Sequence, residues 1–443
     1  MLPDGWCWQP LLELVDSSRG ICYGIVQPGN HDPDGVPMVN SGDIFNGRVV
    51  PDVSFRVAVE LHKKYKRSTL YGGEVLVTLV GANFGQVAIA PTRYAGHNCA
   101  RPVGIVPVLE SNRFVMYALQ SPLLRQRMDN VANTTAQPTL NLKDLGRLPI
   151  PIPPTKIRAE IADLLGAFDD RITLLRDTNT TLETISQALF KSWFVDFDPV
   201  RAKMEGHAPE GMDDGTAAMF PDGFEDTNLG RVPRGWSHST LGQLANVIDC
   251  LHSKKPSLVA EGRPFLQLNN IRDDGLLDTS SLANISDADY LKWTSRIEVA
   301  GGDCVITNVG RVGAIAQIPE GFCAAMGRNM TAIRPRQEWP YPTFLIELLQ
   351  SPWMRAEIVS KTDAGTILNA LNVKSIPRLR CIVGSHPVLQ HFEQTTRPLR
   401  ASMEANLAKA HTLATTRDTL LPRLVSGQLR LPDVQSLMEA ALA

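Results

Sequence analysis

Apolar residues, interrupted by the polar Asn179 and Ser186, recur at alternating spacings of four and three along residues 155–197. The mean spacing of about 3.5 residues is typical of a helix that supercoils against another helix. The positions of this seam are Ile161, Leu165, Phe168, Ile172, Leu175, Asn179, Leu182, Ser186, Leu189 and Trp193. At about 1.5 Å per residue, the predicted helix is about 60 Å long. A long amphipathic helix that only covers a core would show the same pattern, so this segment alone leaves both interpretations open.

The pattern returns near the end of the chain, along residues 387–426. At a displacement of 231 the seam positions are Leu399, Met403, Asn406, Ala410, Leu413, Arg417, Leu420 and Leu424. Two such seams favour a pair of long antiparallel coiled-coil helices. Asn179 and Asn406 interrupt the seams at staggered places; buried polar groups there cost stability but can fix the register. Pro398 predicts a bend or a broken turn, because proline removes a helical hydrogen bond.

The repeat extends beyond the helices. The matched pairs are GGEVLVTLVG at 72–81 with GGDCVITNVG at 301–310, QSPLLR at 120–125 with QSPWMR at 350–355, and TLNLKDL at 139–145 with ALNVKSI at 370–376. Their displacements are 229, 230 and 231 residues, so the two halves match almost without insertion. The chain is therefore an internal duplication.

Each half contains buried strands, glycine turns and a short helix, without regular βαβ alternation, which predicts an α+β fold. The predicted order is a first domain at 1–154, a long helix at 155–197, a linker at 198–231, a second domain at 232–386, a second long helix at 387–431 and a tail at 432–443. The linker is rich in Gly and Pro and carries 3 basic and 8 acidic side chains. We expect it to lie over a surface without forming a third domain.

Composition indicates an ordinary globular protein, with 43% apolar residues and a net charge of −2. The net charge by itself argues against a nucleic-acid binder. The seven cysteines are scattered without CxxC spacing, and the first ten residues lack the order of a signal peptide. We therefore expect a reduced, cytoplasmic protein without a metal site.

Catalytic motifs are missing from the sequence. The turns at 80–85 and 309–316 contain glycines but do not form the GxGxxG pattern of a cofactor loop. The patterns of P-loops, zinc proteases, serine hydrolases and zinc deaminases are also missing, as is the Asn/Asp-Pro-Pro-aromatic motif of amino-methyltransferases. The sequence predicts a non-catalytic protein with no cofactor.

Three segments carry a resemblance to a known family. The first helix ends in LFKSWFVDFDPVRAKMEG, the second ends in TLLPRLVSGQLRL, and YGIVQPG occupies 23–29. These motifs and the duplicated layout resemble the specificity subunit of type I restriction-modification systems, over essentially the whole chain up to Leu431.

The resemblance implies two target recognition domains, each of which reads one half of a bipartite double-stranded DNA target. It implies that the long helices set the spacer and dock two methyltransferase subunits, which a restriction and translocase subunit joins. S-adenosylmethionine, ATP and Mg²⁺ are expected only on those partners. The two alternatives are a self-contained DNA methyltransferase or nuclease, which needs catalytic motifs, and an assembly adaptor without DNA binding.

Candidate DNA contacts are chosen by residue type, because Arg, Lys, Asn and Gln read base edges and phosphates. The first domain offers Lys63, Lys64, Lys66, Arg67, Asn83, Gln86, Arg93, His97 and Asn98. The second offers Lys254, Lys255, Gln267, Asn269, Asn270, Arg272, Arg311, Arg328 and Asn329. The run HKKYKR at 62–67 is the densest basic segment and includes an aromatic residue, although a charge run is also typical of a solvated face.

Overall fold

The structure, a computed structural model, describes residues 2–81, 83–132, 138–227, 230–363 and 369–433. The predicted tail therefore lies outside the described residues from position 434 onward. The chain divides into two compact units: unit 1 comprises residues 1–172 and 412–443, and unit 2 comprises residues 173–411.

Unit 1 is built on a four-stranded antiparallel sheet with helices beside it. Its strands are β1 (Cys7–Pro10), β2 (Cys22–Tyr23), β3 (Val36–Val39), β4 (Ile44–Phe45), β5 (Arg48–Val49), β6 (Arg56–Val57), β7 (Val75–Thr78), β8 (Val87–Ile89), β9 (Asn98–Cys99), β10 (Val103–Val106) and β11 (Pro149–Ile152). Its short helices are α1 (Val59–Lys64), α2 (Asn112–Gln120), α3 (Pro122–Val131) and α4 (Leu142–Arg147). The main sheet has the order β2-β10-β7-β8. Strand β3 pairs with β6 and β9, and β1 pairs with β11.

The first long helix, α5 (Thr155–Lys191), follows, and a π-helical turn at Ser192–Asp196 extends it. The linker region then forms α6 (Asp198–Met204), α7 (Asp214–Ala218), β12 (Phe224–Thr227) and β13 (Gly230–Pro233). Val200 and Phe220 from this region are buried in the core of unit 2. The segment therefore forms short helices and strands, and its apolar side chains anchor it to unit 2. Its acidic composition did not predict this anchoring.

Unit 2 repeats the architecture of unit 1. Its further strands are β14 (Ser237–Thr240), β15 (Ala245–Asp249), β16 (Leu258–Val259), β17 (Arg263–Leu266), β18 (Ala283–Ile285), β19 (Val299–Ala300), β20 (Cys304–Thr307), β21 (Ile315–Gln317), β22 (Cys323–Met326), β23 (Met330–Pro335), β24 (Thr362–Asp363), β25 (Ala370–Leu371) and β26 (Arg380–Val383). Its short helices are α8 (Leu241–Leu244), α9 (Asp287–Trp293), α10 (Pro342–Gln350) and α11 (Pro352–Ser360). The second long helix is α12 (His386–Val425).

The main sheets of the two units have equivalent strand orders. In unit 2 the order is β15-β23-β20-β21, and these strands occupy the places of β2, β10, β7 and β8 in unit 1. Each unit also has one parallel pair, β3 with β9 and β17 with β22. The structure is mixed helix and sheet without βαβ alternation, which confirms the predicted α+β class.

Helix α12 runs without a break through Pro398, so of the two predicted outcomes the broken turn is wrong, whereas the bend stays a prediction. Buried side chains hold the helix on both sides of the proline, with Phe392 0% and Met403 2% exposed. Their packing outweighs the cost of about 3 kcal/mol that a proline imposes inside a helix. The helix ends at Val425, and Gly427 adopts a left-handed backbone conformation (φ 71°) beyond it.

Every residue of the two predicted seams is buried or half-buried. In unit 1, Ile161 and Leu165 share one core with Leu421 and Leu424. Beside these residues, Asp169 of α5 forms an ion pair with Arg417 of α12. The Tyr117 hydroxyl donates to the same Asp169 carboxylate at 2.5 Å. An early position of α5 therefore meets a late position of α12, as expected for antiparallel helices.

In unit 2 the two seam asparagines contact each other. The Asn406 side-chain amide donates to Asn179 Oδ1 at 2.9 Å, and the Asn179 amide donates to the Met403 carbonyl oxygen at 2.9 Å. Although the two asparagines are staggered in the repeat, antiparallel pairing brings them together. Each satisfies the other in the seam, which favours one register.

Another polar seam residue, Ser186, contacts the short helix α10 of unit 2. Its hydroxyl donates to Glu347 Oε1 at 2.8 Å, and the Gln187 amide donates to the other carboxylate oxygen. Burial raises the pKa of Glu347 to about 7, and the nearby Glu183 adds to the rise while Arg400 opposes it. A titratable group thus lies in the core of unit 2.

The contact between Asn179 and Asn406 predicts that the stability losses caused by replacing each residue do not add. Asn179→Leu or Asn406→Leu leaves the other amide without its partner, at a cost of about 1–3 kcal/mol in the free energy of unfolding. The double leucine variant removes both polar groups, so we expect it to lose less than the sum of the two single variants. Urea unfolding of the four proteins measures the coupling. Thr184→Leu, at an exposed position of α5, is the control and should change stability by about 0.5 kcal/mol or less. Additive losses would contradict a direct contact between the two amides.

Glu347 predicts a specific pH dependence. The folded protein holds this proton up to about pH 7, whereas the unfolded chain releases it near 4.5. The free energy of unfolding therefore falls as pH rises between these values, by at most about 3 kcal/mol. Glu347→Gln keeps an oxygen for Ser186 but has no such proton, so we expect this part of the pH dependence to disappear from its unfolding curves. The exposed Glu338→Gln variant should keep the wild-type profile, and an unchanged profile in both variants would contradict the assignment.

Candidate nucleic-acid interface

The basic run of unit 1 is an exposed surface. Lys63 and Lys64 end α1, and Lys66 and Arg67 lie in the 3-10 turn that follows it; all four are exposed. Lys63 is 2.8 Å from Glu60 in a solvent-exposed ion pair, which contributes little stability. Tyr65 is half-buried against a small apolar core. The aromatic residue of the run thus anchors the segment while the cations face solvent.

Sequence reasoning missed two residues at this surface: the exposed Tyr71, which extends it, and Arg19, whose side chain is only 11% exposed and supports it. Arg67 Nε donates to the Arg19 carbonyl oxygen at 2.8 Å. The Arg19 guanidinium lies 4.5 Å from the ring centre of Tyr71, and its Nη1 is 2.5 Å from a Glu74 carboxylate oxygen. Tyr71 is 68% exposed, so one face of its ring remains open to solvent. Arg19 lies 48 residues from Arg67 in sequence, so only the fold brings them together.

Asn98 is wrongly included among the DNA contacts, because it is 0% exposed. Its side-chain oxygen accepts from the Ser68 hydroxyl at 2.6 Å and from its neighbour Cys99 at 2.8 Å. Its amide donates to the Tyr65 carbonyl oxygen at 3.3 Å. Asn98 therefore supports the basic segment from beneath.

The remaining candidates of unit 1 are more accessible. Arg93 is exposed beside the Tyr94 ring, on which His97 stacks at 4.8 Å between ring centres. Asn83 donates to the Ser41 carbonyl oxygen at 3.2 Å, and Gln86 accepts from a backbone amide. These side chains remain candidate contacts.

Unit 2 also has a five-stranded sheet with the order β16-β18-β17-β22-β19, and most of its candidates lie in loops around this sheet. Lys254, Lys255, Asn269 and Arg328 are exposed, and Lys255 is 3.2 Å from Gln267. Asn329 is half-buried in a left-handed conformation (φ 64°), between β22 and β23.

Asn270 is also wrongly predicted as a DNA contact, since it is fully buried. Its oxygen accepts from the Gln267 backbone amide at 2.8 Å, and its amide donates to the Asp278 carbonyl oxygen at 3.1 Å. Like Asn98, it shapes a loop and has no surface to offer DNA.

The two arginines of unit 2 next to this loop already have acidic partners. Arg272 pairs with Asp274 at 2.6 Å, and Arg311 pairs with Asp273 while donating to the Ile271 carbonyl oxygen at 2.9 Å. The Asp273 side chain is 94% exposed, so this pair is open to solvent. A phosphate can compete with such an exposed partner.

One group of potential metal ligands lies within the described part of unit 2. Donor atoms of Asp249, Cys250 and His252 are all within 4.8 Å of one another. The Asp249 carboxylate is already paired with His252 at 2.7 Å and lies 3.7 Å from the Arg296 guanidinium. The positive charge of Arg296 would repel a metal ion at this place. The group is therefore better described as a cluster of paired charged and polar side chains. Across the described residues, no helix is long and apolar enough to span a membrane.

Comparisons with known proteins agree with the sequence resemblance. Residues 27–184 match the model of the type I restriction modification DNA specificity domain. The chain is 30% identical over 205 residues to the EcoBI specificity subunit of Escherichia coli, which covers 42% of each protein. It is 26% identical over 333 residues to the HindI specificity subunit of Haemophilus influenzae, covering 66% of this chain and 71% of that relative.

The fold comparison spans almost the whole chain. The crystal structure of the type I restriction-modification S subunit from M. genitalium covers 96% of this chain and 97% of its own, with a TM-score of 0.55 and 18% identity. This likeness concerns the fold, whereas the family match comes from the sequence. The chain is therefore similar to type I restriction-modification specificity subunits, in sequence over residues 27–184 and in its duplicated α+β fold over almost its whole length.

Proposed function

We propose that this protein is the DNA sequence-recognition subunit of a type I restriction-modification assembly, with no catalytic role of its own. The observation that carries the proposal is the duplication of one domain. The family model matches residues 27–184, and unit 2 repeats the strand order of unit 1 with different loops. Two copies of one recognition architecture suit two half-sites of a bipartite target.

The two units present different loops, which supports the proposal that they read different half-site sequences. Unit 1 presents the exposed run from Lys63 to Arg67 together with Tyr71. Unit 2 presents Lys254, Lys255 and Asn269 from unrelated loop sequences. Equivalent sheets with divergent polar loops are expected when the scaffold stays constant and the target changes.

The long helices supply the rest of the proposal. Each helix contributes residues to both units, so their pairing couples the folding of the two recognition domains. We propose that the helices also set the spacer of the target and dock two methyltransferase subunits, to which restriction and translocase subunits bind. Those partners would carry S-adenosylmethionine, ATP and Mg²⁺, and the assembly would act in the cytoplasm.

DNA binding by the basic run tests this function. Wild-type protein, assembled with a cognate methyltransferase subunit, should bind its target duplex with strong salt dependence. Replacing Lys63, Lys64 and Lys66 by Gln should weaken binding and reduce the slope of log K against log salt by as much as about 2.7, since each phosphate contact contributes about 0.9. Equilibrium binding at several salt concentrations measures both quantities.

The matched control is Lys156→Gln, an exposed lysine at the start of α5, which should leave the slope unchanged. An unchanged slope in the triple variant would remove the basic run from the interface. Failure of the wild-type assembly to prefer any DNA sequence would contradict the proposed function itself.

A further inference from the structure

The duplication places one arginine at the same position in both units. The motif QSPLLR ends with Arg125 in α3, and QSPWMR ends with Arg355 in α11. Both helices start in the same way: Ser121 Oγ accepts from the Leu124 amide at 3.4 Å, and Ser351 Oγ accepts from the Met354 amide at 3.2 Å. The two arginines are therefore equivalent in sequence and in local structure.

In unit 1 this arginine has internal partners. The Arg125 guanidinium lies 5.2 Å from the ring centre of Phe84, in a cation–π contact. Its Nε is 3.2 Å from Asp129, one helical turn later. Both the charge and the planar face of Arg125 are thus used within the unit.

In unit 2 both partners are replaced by valine. The displacement of 230 that relates Arg125 to Arg355 puts Val359 in the place of Asp129. The displacement of 228 that relates β8 to β21 puts Val312 in the place of Phe84. Among the described residues, Arg355 is exposed and its side chain forms no hydrogen bond or ion pair, although its charge acts on the pKa of Glu183. The arginine is retained while both of its internal contacts are lost.

A groove of about 340 Å³ lies at this position. The turn at 311–315 forms one side and α11 forms the other. Its lining combines the cations Arg311 and Arg355 with apolar Val312, Ile358 and Val359. Val359 is 71% exposed, so the apolar side of the groove faces solvent.

The charges of the groove suit an anion. Asp273 also lines it, and its carboxylate pairs with Arg311, so two guanidinium groups face one carboxylate. The excess positive charge belongs to Arg355. Guanidinium groups bind phosphate oxygens through paired N–H donors, and an apolar wall can pack against a deoxyribose.

We propose that this groove binds the sugar-phosphate backbone of DNA, with Arg355 as the phosphate contact and Val312 and Val359 against the sugar. This inference rests on the proposed function and makes the contact specific to unit 2. Since a backbone phosphate carries no sequence information, Arg355 would position the half-site and contribute affinity without choosing the bases.

A variant that restores the arrangement of unit 1 tests the inference. Val359→Asp places a carboxylate one turn after Arg355, as Asp129 stands to Arg125, and the position is exposed, so the fold should tolerate it. With the assembled protein, we expect Val359→Asp and Arg355→Gln each to reduce the salt slope of DNA binding by about 0.9. Both should weaken binding to target and non-target duplexes by the same factor. The double variant should lower the salt slope no further than Arg355→Gln alone, because both changes remove the same phosphate contact.

The comparison variant is Arg125→Gln: its guanidinium packs on the Phe84 ring and pairs with Asp129 within unit 1, so we expect its slope to change less than that of Arg355→Gln. Leu291→Asp, at a 77% exposed position of unit 2, controls for the added negative charge. A wild-type slope in Arg355→Gln would overturn the inference while leaving the proposed function intact, since wild-type binding is measured in the same series. An equal loss in Arg125→Gln would overturn the asymmetry between the units.

Discussion

The antiparallel pairing of α5 and α12 is the constraint on which the rest of the structure depends. In each unit a segment of one long helix completes a core with a segment that is distant in sequence. The N-terminal domain depends on Leu421 and Leu424 from the end of the chain, and unit 2 depends on Phe190 and Trp193 from the end of α5. Loss of the helix pairing would therefore expose apolar surface in both units.

Polar groups in the seam restrict how the helices can pair. An apolar seam alone tolerates a shift by one heptad, because leucines can exchange places at similar cost. The Asn179–Asn406 contact and the Asp169–Arg417 ion pair are satisfied in one antiparallel register. A shift would bury these amides and charges without partners, which is costly. The polar contacts therefore lower the stability of the helix pair but define how α5 and α12 align.

Duplication followed by divergence explains how one scaffold carries two surfaces. The apolar sheet positions are constrained by packing, and β7 and β20 remain fully buried in both units. Polar positions outside the sheets are less constrained. Arg125 and Arg355 show the consequence, because the first makes contacts within unit 1, whereas the second has no hydrogen-bond or ion-pair partner in the part of the chain that the structure describes.

The sequence was most informative where periodicity determines structure. Seam residues such as Leu165 and Leu424 follow from their spacing, and the α+β class follows from the strand-rich repeat. Burial of polar residues was not predictable from the sequence. Asn98 and Asn270 have side chains of the type that reads bases, but both form hydrogen bonds within the loops of their own units. The contact between Arg19 and Arg67 depends on a long-range approach of two loops, which no local pattern encodes. The helix continues through Pro398 without a broken turn because tertiary packing outweighs local propensity.

A block exchange followed by sequencing of DNA methylation tests the central claim most directly. Residues 232–386 would be replaced by the corresponding block of a specificity subunit with a different target, in cells that carry the methyltransferase partner. If the duplicated domains read DNA independently, one half of the methylated sequence changes while the other half and the spacer stay the same. A change in both halves, or methylation at an uninterrupted site, would contradict the account.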